Sequence, residues 1–310
     1  MLEVVSLSKK FKQETVVKDV DMHIEQGETV GLMGPNGAGK STTISMIASL
    51  LEPSGGDILL YNKSILQDPK PLRKILGVVP QEIALYPELS ALENLHFFAR
   101  INKLKGAKLK QRVEEVLELI GLSDRRKDLV KTYSGGMKRR LNIGAALLHN
   151  PKFIIMDEPT VGIDPQSRNY ILEAVRKLNQ EKNMSVLYTS HYMEEIEFLC
   201  DRVYIMDHGE IIASGTQDEV RGIMSSENTV EVKLEKHSEL FVEQLRQHEG
   251  ISSVTVSDST LTIIAPKGVN IFTIIYPISE SLGIQFLSIE VKTPTLEDVF
   301  LHLTGRKLRD

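Results

Sequence analysis

Residues 34 to 41, GPNGAGKS, follow the pattern G-x-x-x-x-G-K-[ST], whose residue types cradle a phosphate. Gly34, Gly37 and Gly39 let successive backbone N–H groups turn inward around anionic oxygens, and the N-terminus of a following helix adds positive potential. Pro35, Asn36 and Ala38 complete the loop, and Thr42 follows it as a further nucleotide contact. Lys40 is expected to reach the β- and γ-phosphates of a nucleoside triphosphate, and the Ser41 hydroxyl to ligate Mg²⁺. A second chemical pair, Asp157 and Glu158, ends the run FIIMDE. Asp157, at a strand end beside the phosphate loop, can hold Mg²⁺ directly or through water, and Glu158 can polarise an attacking water. A third stretch, KTYSGGMKRR over 131 to 140, has no His or Asp beside Ser134 to make it a nucleophile. Ser134 can instead cap the helix beginning GGMKRRLNIGAALL, leaving its N–H groups free to face an anion. Gly135 and Gly136 let a backbone come close to a phosphate. Lys138, Arg139 and Arg140 read as a solvated face with no catalytic role.

These residues need a scaffold that brings them together. Residues 2 to 33 form β-like runs (LEVVSL, VDMHI, TVGLM), and a helix is expected from GKSTTISMIASLL to near Pro53. ILGVVPQE reads as a short strand closed by Pro80, and from Glu88 to Asn150 apolar residues fall at helical spacing. Strands then alternate with helices: KFIIMDE, SRNYILEAVRKLNQ, SVLYTS, YMEEIEFLC, RVYIMDHGEIIASG. Such alternation implies an α/β fold with a mostly parallel sheet covered on both faces. A boundary is expected near GIMSSEN, 222 to 228, followed by a small α+β unit. The resulting division is 1–222, with a helical part at about 82–150, and 227–310.

Composition narrows the class. With 41% hydrophobic and 25% charged residues over 310 positions, the chain has the make-up of a globular protein with a real core. A net charge of −5 and a pI near 6.0 argue against a general nucleic-acid binder. No apolar run approaches the roughly 18 residues that span a bilayer. The first residues lack the features of a signal peptide, and the single cysteine, Cys200, excludes an intrachain disulfide. A cytoplasmic protein, reaching a membrane only through a partner, is the expectation.

Together these elements resemble the ATP-binding subunits of ABC transporters, over roughly residues 1 to 220. YSGGM, 133 to 137, is similar to the family signature LSGGQ, with Tyr133 in place of Leu and Met137 in place of Gln. The resemblance implies a P-loop NTPase (RecA-like) core with an N-terminal antiparallel β-subdomain and an inserted helical subdomain, beside the C-terminal α+β unit. It implies ATP and Mg²⁺ as cofactors, and that Ser134, Gly135 and Gly136 complete the site of a second subunit packed head to tail. Phe11 matches the aromatic that stacks on adenine, Gln81 the glutamine that touches Mg²⁺, and Asp164, in VGID, the aspartate at the dimer interface. His191 matches the histidine that senses the γ-phosphate, so that Lys40, Gln81, Glu158 and His191 form the implied catalytic set. The tail TPTLEDVFLHLTGR, 293 to 306, resembles ATPases paired with ABC-2-type permeases, including drug exporters. The implied partners are a second ATP-binding subunit, the same or related, and a polytopic permease, with no nucleic acid. The alternative is a regulatory or nucleic-acid-remodelling ABC ATPase without a permease. A nucleotide kinase fits the phosphate loop but leaves YSGGM and His191 without a task.

Overall fold

The computed structural model describes residues 1–223, 227–235, 238–257, 260–292 and 295–305. The expected boundary segment GIMSSEN falls partly outside these residues, as do Thr293, Pro294 and Arg306 of the tail. The chain divides into two compact units, one over Met1–Gln217 and one over Asp218–Gly305.

In the first unit, β1 (Leu2–Phe11), β2 (Glu14–Ile24), β3 (Thr29–Met33), α1 (Lys40–Ile47), β4 (Gly55–Leu60), β5 (Lys63–Ser64), α2 (Lys70–Ile75) and β6 (Leu76–Val79) come first. Then follow α3 (Ala91–Ile101), α4 (Gly106–Leu119), α5 (Gly135–Leu147), β7 (Phe153–Met156), α6 (Pro165–Lys182), β8 (Ser185–Thr189), α7 (Met193–Leu199), β9 (Arg202–Asp207) and β10 (Glu210–Thr216). Strands β2-β1-β4-β5 form an antiparallel sheet, and β10-β9-β3-β8-β7-β6 a second sheet in which only the β10–β9 pair is antiparallel. Every residue of β3, β7 and β8 is buried, as strands covered on both faces require. Parallel register decides what meets at the sheet's C-terminal edge. Val79 of β6 pairs with Met156 of β7, and Met156 with Tyr188 of β8. The residues that follow each strand, Gln81, Asp157, Glu158 and His191, therefore emerge side by side.

The helical block has its own core, in which Leu95, Val113, Leu117, Val130 and Tyr133 are buried. Ser90 and Glu93 form a reciprocal cap that starts α3. Gly144 of α5 lies where a Cβ would come within 2.8 Å of Ile120 Cδ1 and 3.0 Å of Val116 Cγ1. Gly144→Val should therefore overpack the α4–α5 contact, costing about 1–3 kcal/mol. A melting temperature equal to that of the unsubstituted protein would show that the helices can separate freely there.

The second unit contains α8 (Gln217–Gly222, begun in the first), β11 (Glu227–Leu234), α9 (Glu239–Arg246), β12 (Ser253–Ser257), β13 (Thr260–Pro266), α10 (Phe272–Leu282), β14 (Phe286–Lys292) and α11 (Leu296–Thr304). Its sheet order β12-β13-β11-β14, with every neighbouring pair antiparallel, is the ferredoxin-like β-α-β-β-α-β arrangement. Val232, Leu261, Ile263, Phe241, Leu245 and Ile275 fill its own core.

Candidate active site

The phosphate loop leaves the end of β3 and returns as α1. Gly39, immediately before the helix, has φ +106°, and Gly37 has φ +81°, conformations that a side chain at either position would strain. Lys40 is 6% exposed, and its Nζ donates to the carbonyls of Gly34 at 2.7 Å and Pro35 at 3.1 Å. Burial lowers the Lys40 pKa, and the charges of Glu158 and Asp157 act against that shift. The ammonium thus sits at the mouth of its own loop with two carboxylates nearby. Ser41 is exposed at the first turn of α1 and Thr42 half-buried beside it.

At the ends of β6, β7 and β8 the expected residues converge. Gln81 Nε2 donates to Glu158 Oε2 at 2.8 Å, and His191 Nε2 lies 2.5 Å from Glu158 Oε1. Glu158 is 6% exposed; burial pushes its carboxyl up, but the hydrogen bond and charge of His191, with Lys40, outweigh this and leave its pKa lowered. Glu158 also has φ +47°, an uncommon backbone for a non-glycine residue. Thr189, which the sequence analysis did not single out, holds that conformation: its Oγ1 accepts from Glu158 N at 2.9 Å and donates to Asp157 Oδ1 at 2.8 Å. One hydroxyl thereby orients both acidic residues.

Behind this row lies a network also missed in the sequence. Glu195 is 1% exposed, and its Oε2 accepts from Thr160 Oγ1 at 2.8 Å, Tyr188 Oη at 2.9 Å and Ser190 Oγ at 2.6 Å. Arg168 of α6 lies 3.3 Å from the other oxygen and 3.9 Å above the ring of Tyr192. The segment after Glu158, the segment around His191 and the start of α6 are thus fastened to one carboxylate. Glu195, one of three glutamates in YMEEIE, carries no local sign of this, because its partners come from three other elements.

Ser134 caps α5, its Oγ accepting from Met137 N at 3.2 Å. Asp164 caps α6, its Oδ1 accepting from Ser167 N at 2.9 Å. The two helix starts abut: a Cβ on Gly136 would lie 2.0 Å from Ser167 Oγ and 3.1 Å from Asp164 Oδ2. Gly135 differs, since the nearest atom to a Cβ there is 3.6 Å away. Tyr133 is buried and its hydroxyl donates to Arg125 O at 2.7 Å, so the departure from Leu is accommodated in the block's core. Met137 packs, half-buried, against the same core. Phe11, at the end of β1, is 45% exposed, with Lys9 Nζ 5.2 Å from its ring centroid.

The basic triplet departs from expectation. Arg139 is not solvated but 4% exposed, its Nη1 donating to Pro80 O at 3.0 Å and its Nη2 to Gln81 O at 2.8 Å. Burial pushes its guanidinium pKa down. Arg140 is half-buried, its Nη1 donating to Ile120 O at 3.0 Å and its guanidinium lying 4.9 Å from the Tyr170 ring centroid. Successive residues of a helix point about 100° apart, so three in a row cannot share one face.

The arrangement is suited to phosphoryl transfer to water. It combines a phosphate loop with its lysine, a strand-end aspartate, a carboxylate next to a histidine and an amide, and a capped helix N-terminus. Comparison with known proteins decides the family. Linearmycin resistance ATP-binding protein LnrL of Bacillus subtilis (strain 168) is 46% identical over 312 residues, covering 100% of both chains. The chain belongs to the ABC transporter ATP-binding family. The family profile described as ABC transporter matches residues 17–161. Daunorubicin/doxorubicin resistance ATP-binding protein DrrA of Streptomyces peucetius is 34% identical over 100% of this chain and 94% of its own. Nod factor export ATP-binding protein I of Cupriavidus pinatubonensis is 35% identical, covering 100% and 92%. Among solved structures, the dimeric post-hydrolysis cassette MJ0796 bound to ADP and Pi superposes with a TM-score of 0.64 and 29% identity, over 70% of this chain and 98% of that one. This ABC cassette is an ATPase with a P-loop NTPase core. No helix among the described residues is long and apolar enough to cross a membrane.

Proposed function

We propose that this ATPase closes head to tail with a second ATP-binding subunit over two MgATP molecules, and that this cycle drives a separate permease for export. The observation that carries the shared site is the contrast between the two signature glycines. Packing within the chain requires Gly136 to be bare, whereas nothing among the described residues crowds Gly135. What needs the bare backbone at Gly135 comes from outside, and the partner's γ-phosphate beside Ser134 meets that need. Lys40 exchanges two loop carbonyls for phosphate oxygens, Phe11 offers an open ring face to adenine, and Asp164 at the α6 start meets the facing subunit.

The oxygen donors Asp157, Ser41 and Gln81 suit Mg²⁺, which takes few protein ligands and keeps water and phosphate oxygens. Bound there, the ion neutralises phosphate charge. Among the described residues no group of three His, Cys, Asp or Glu is placed to hold a metal ion by itself, and this donor set does not need one. Glu158 orients the attacking water and accepts its proton, while His191 and Gln81 fix the carboxylate.

The names of LnrL, DrrA and the Nod factor protein favour export at a membrane over a remodelling role, and the net charge of −5 points the same way. Tyr86, Phe97 and Phe98 form an aromatic group with centroids 4.8–6.2 Å apart, Tyr86 being 47% exposed. The buried Asn94 holds it in place through Tyr86 N at 2.9 Å and Tyr86 O at 3.0 Å. A rigid, exposed aromatic group suits an amphipathic helix of a permease. A polytopic membrane protein should therefore copurify in mild detergent, and Tyr86→Asp should break the association while leaving ATP binding intact. Recovery only with ribosomes or DNA would overturn the transporter reading. The second unit, with its own core and no glycine-rich phosphate loop, serves assembly or regulation.

A further inference from the structure

Arg139 raises a question that fold stability does not answer. A guanidinium buried to 4% exposure with no carboxylate partner among the described residues is costly, and hydrogen bonds to carbonyls offset only part of that cost. Its two bonds, however, fall on successive carbonyls. Pro80 O belongs to the peptide before Gln81 and Gln81 O to the peptide after it. Holding both peptide planes fixes the backbone of Gln81 and hence the direction in which its side chain leaves the chain. That side chain ends 2.8 Å from Glu158 Oε2. Asn142, three residues further on the same helical face, adds a bond at 3.3 Å to Ala84 N. Helix α5 thus grips the Pro80–Ala84 segment at three backbone points, and the same helix begins at Ser134, about 7–8 Å of helical rise from Arg139.

We propose that Arg139 is a positioning residue linking the two ATP sites of the dimer: it ties the signature helix to Gln81, so that engagement of the partner's nucleotide at Ser134 sets Gln81 against this chain's own Glu158. The link rests on the shared-site reading above. A helix held rigidly at both ends transmits a small displacement, and misplacement of a catalytic group by about an ångström is enough to cost one to two orders of magnitude in rate. Arg139 touches neither nucleotide and acts only through Gln81.

The test is a double-mutant cycle in the full chain, reading kcat, KM and the Hill coefficient for ATP. Arg139→Met should lower kcat about tenfold with KM within about twofold. It should also bring the Hill coefficient towards one, because the sites no longer sense each other. In a Gln81→Ala background, where the transmitting side chain is gone, the same substitution should change kcat by less than about twofold. Multiplying losses, or an unchanged kcat for Arg139→Met, would overturn the link, since a merely structural role is additive. Arg139→Lys, which retains charge and length but can hold only one carbonyl well, serves if Arg139→Met does not fold. Its expected loss is about threefold, again absent in the Gln81→Ala background. ATP-dependent dimerisation of the unsubstituted chain is measured alongside. Additive losses in a normal dimer sink the link alone, whereas full-rate hydrolysis by a monomer sinks the shared site together with it.

Discussion

Glu158→Gln should bind ATP as the unsubstituted chain does and lose about 10²–10⁴-fold in steady-state hydrolysis. The amide is nearly isosteric with the carboxylate but cannot accept a proton from water. Its oxygen can still accept from Gln81 Nε2 or His191 Nε2, the partners at 2.8 and 2.5 Å, so the local structure should persist. The left-handed backbone at φ +47° should persist too, because Thr189 holds it through the main-chain N–H rather than the side chain. Because ATP favours closure and hydrolysis releases it, the variant should accumulate as an ATP-bound dimer, visible as a shift in elution volume when ATP is added. Unchanged hydrolysis in this variant would remove Glu158 from the mechanism.

The second large effect separates a shared site from a self-contained one. Lys40→Ala and Ser134→Arg chains should each be nearly inactive alone, the first for loss of the phosphate-loop ammonium and the second because a long side chain fills the start of α5. In a mixed dimer the two lesions fall on one composite site and leave the other whole. Random pairing of equal amounts then restores at most about a quarter of the unsubstituted rate, set by the fraction of mixed dimers and their single working site, and about a tenth of that where the Arg139 link holds, because that site's Gln81 lies on the Ser134→Arg chain. Loss of the Ser134 cap costs about 1 kcal/mol, so each variant's melting temperature is checked before mixing. Mixtures that stay as inactive as their components at every ratio would place both Lys40 and Ser134 in the same chain's site.

The phosphate loop was legible because its chemistry is contiguous. Eight adjacent residues supply the N–H groups, the ammonium and the hydroxyl, and the flanking strand and helix carry their own periodic signals. The parallel alternation of β6 to β9 was legible for a similar reason, since strands buried on both faces show as unbroken apolar runs. Local residue types also announced that Asp157 and Glu158 end such a strand. Which side chains stand opposite them was another matter, and resemblance rather than spacing supplied Gln81 and His191. Thr189 joins both acidic residues only because Met156 pairs with Tyr188, a register set by long-range hydrogen bonds. Arg139 was misread because a basic triplet looks solvated. The direction a helical side chain takes depends on which element packs against that face, and α5 happens to meet the Pro80–Ala84 segment there. Residue types and their spacing therefore determined which chemistry this protein can perform. Strand register and helix packing, which depend on contacts between residues far apart in the chain, decided which side chains hold that chemistry in place.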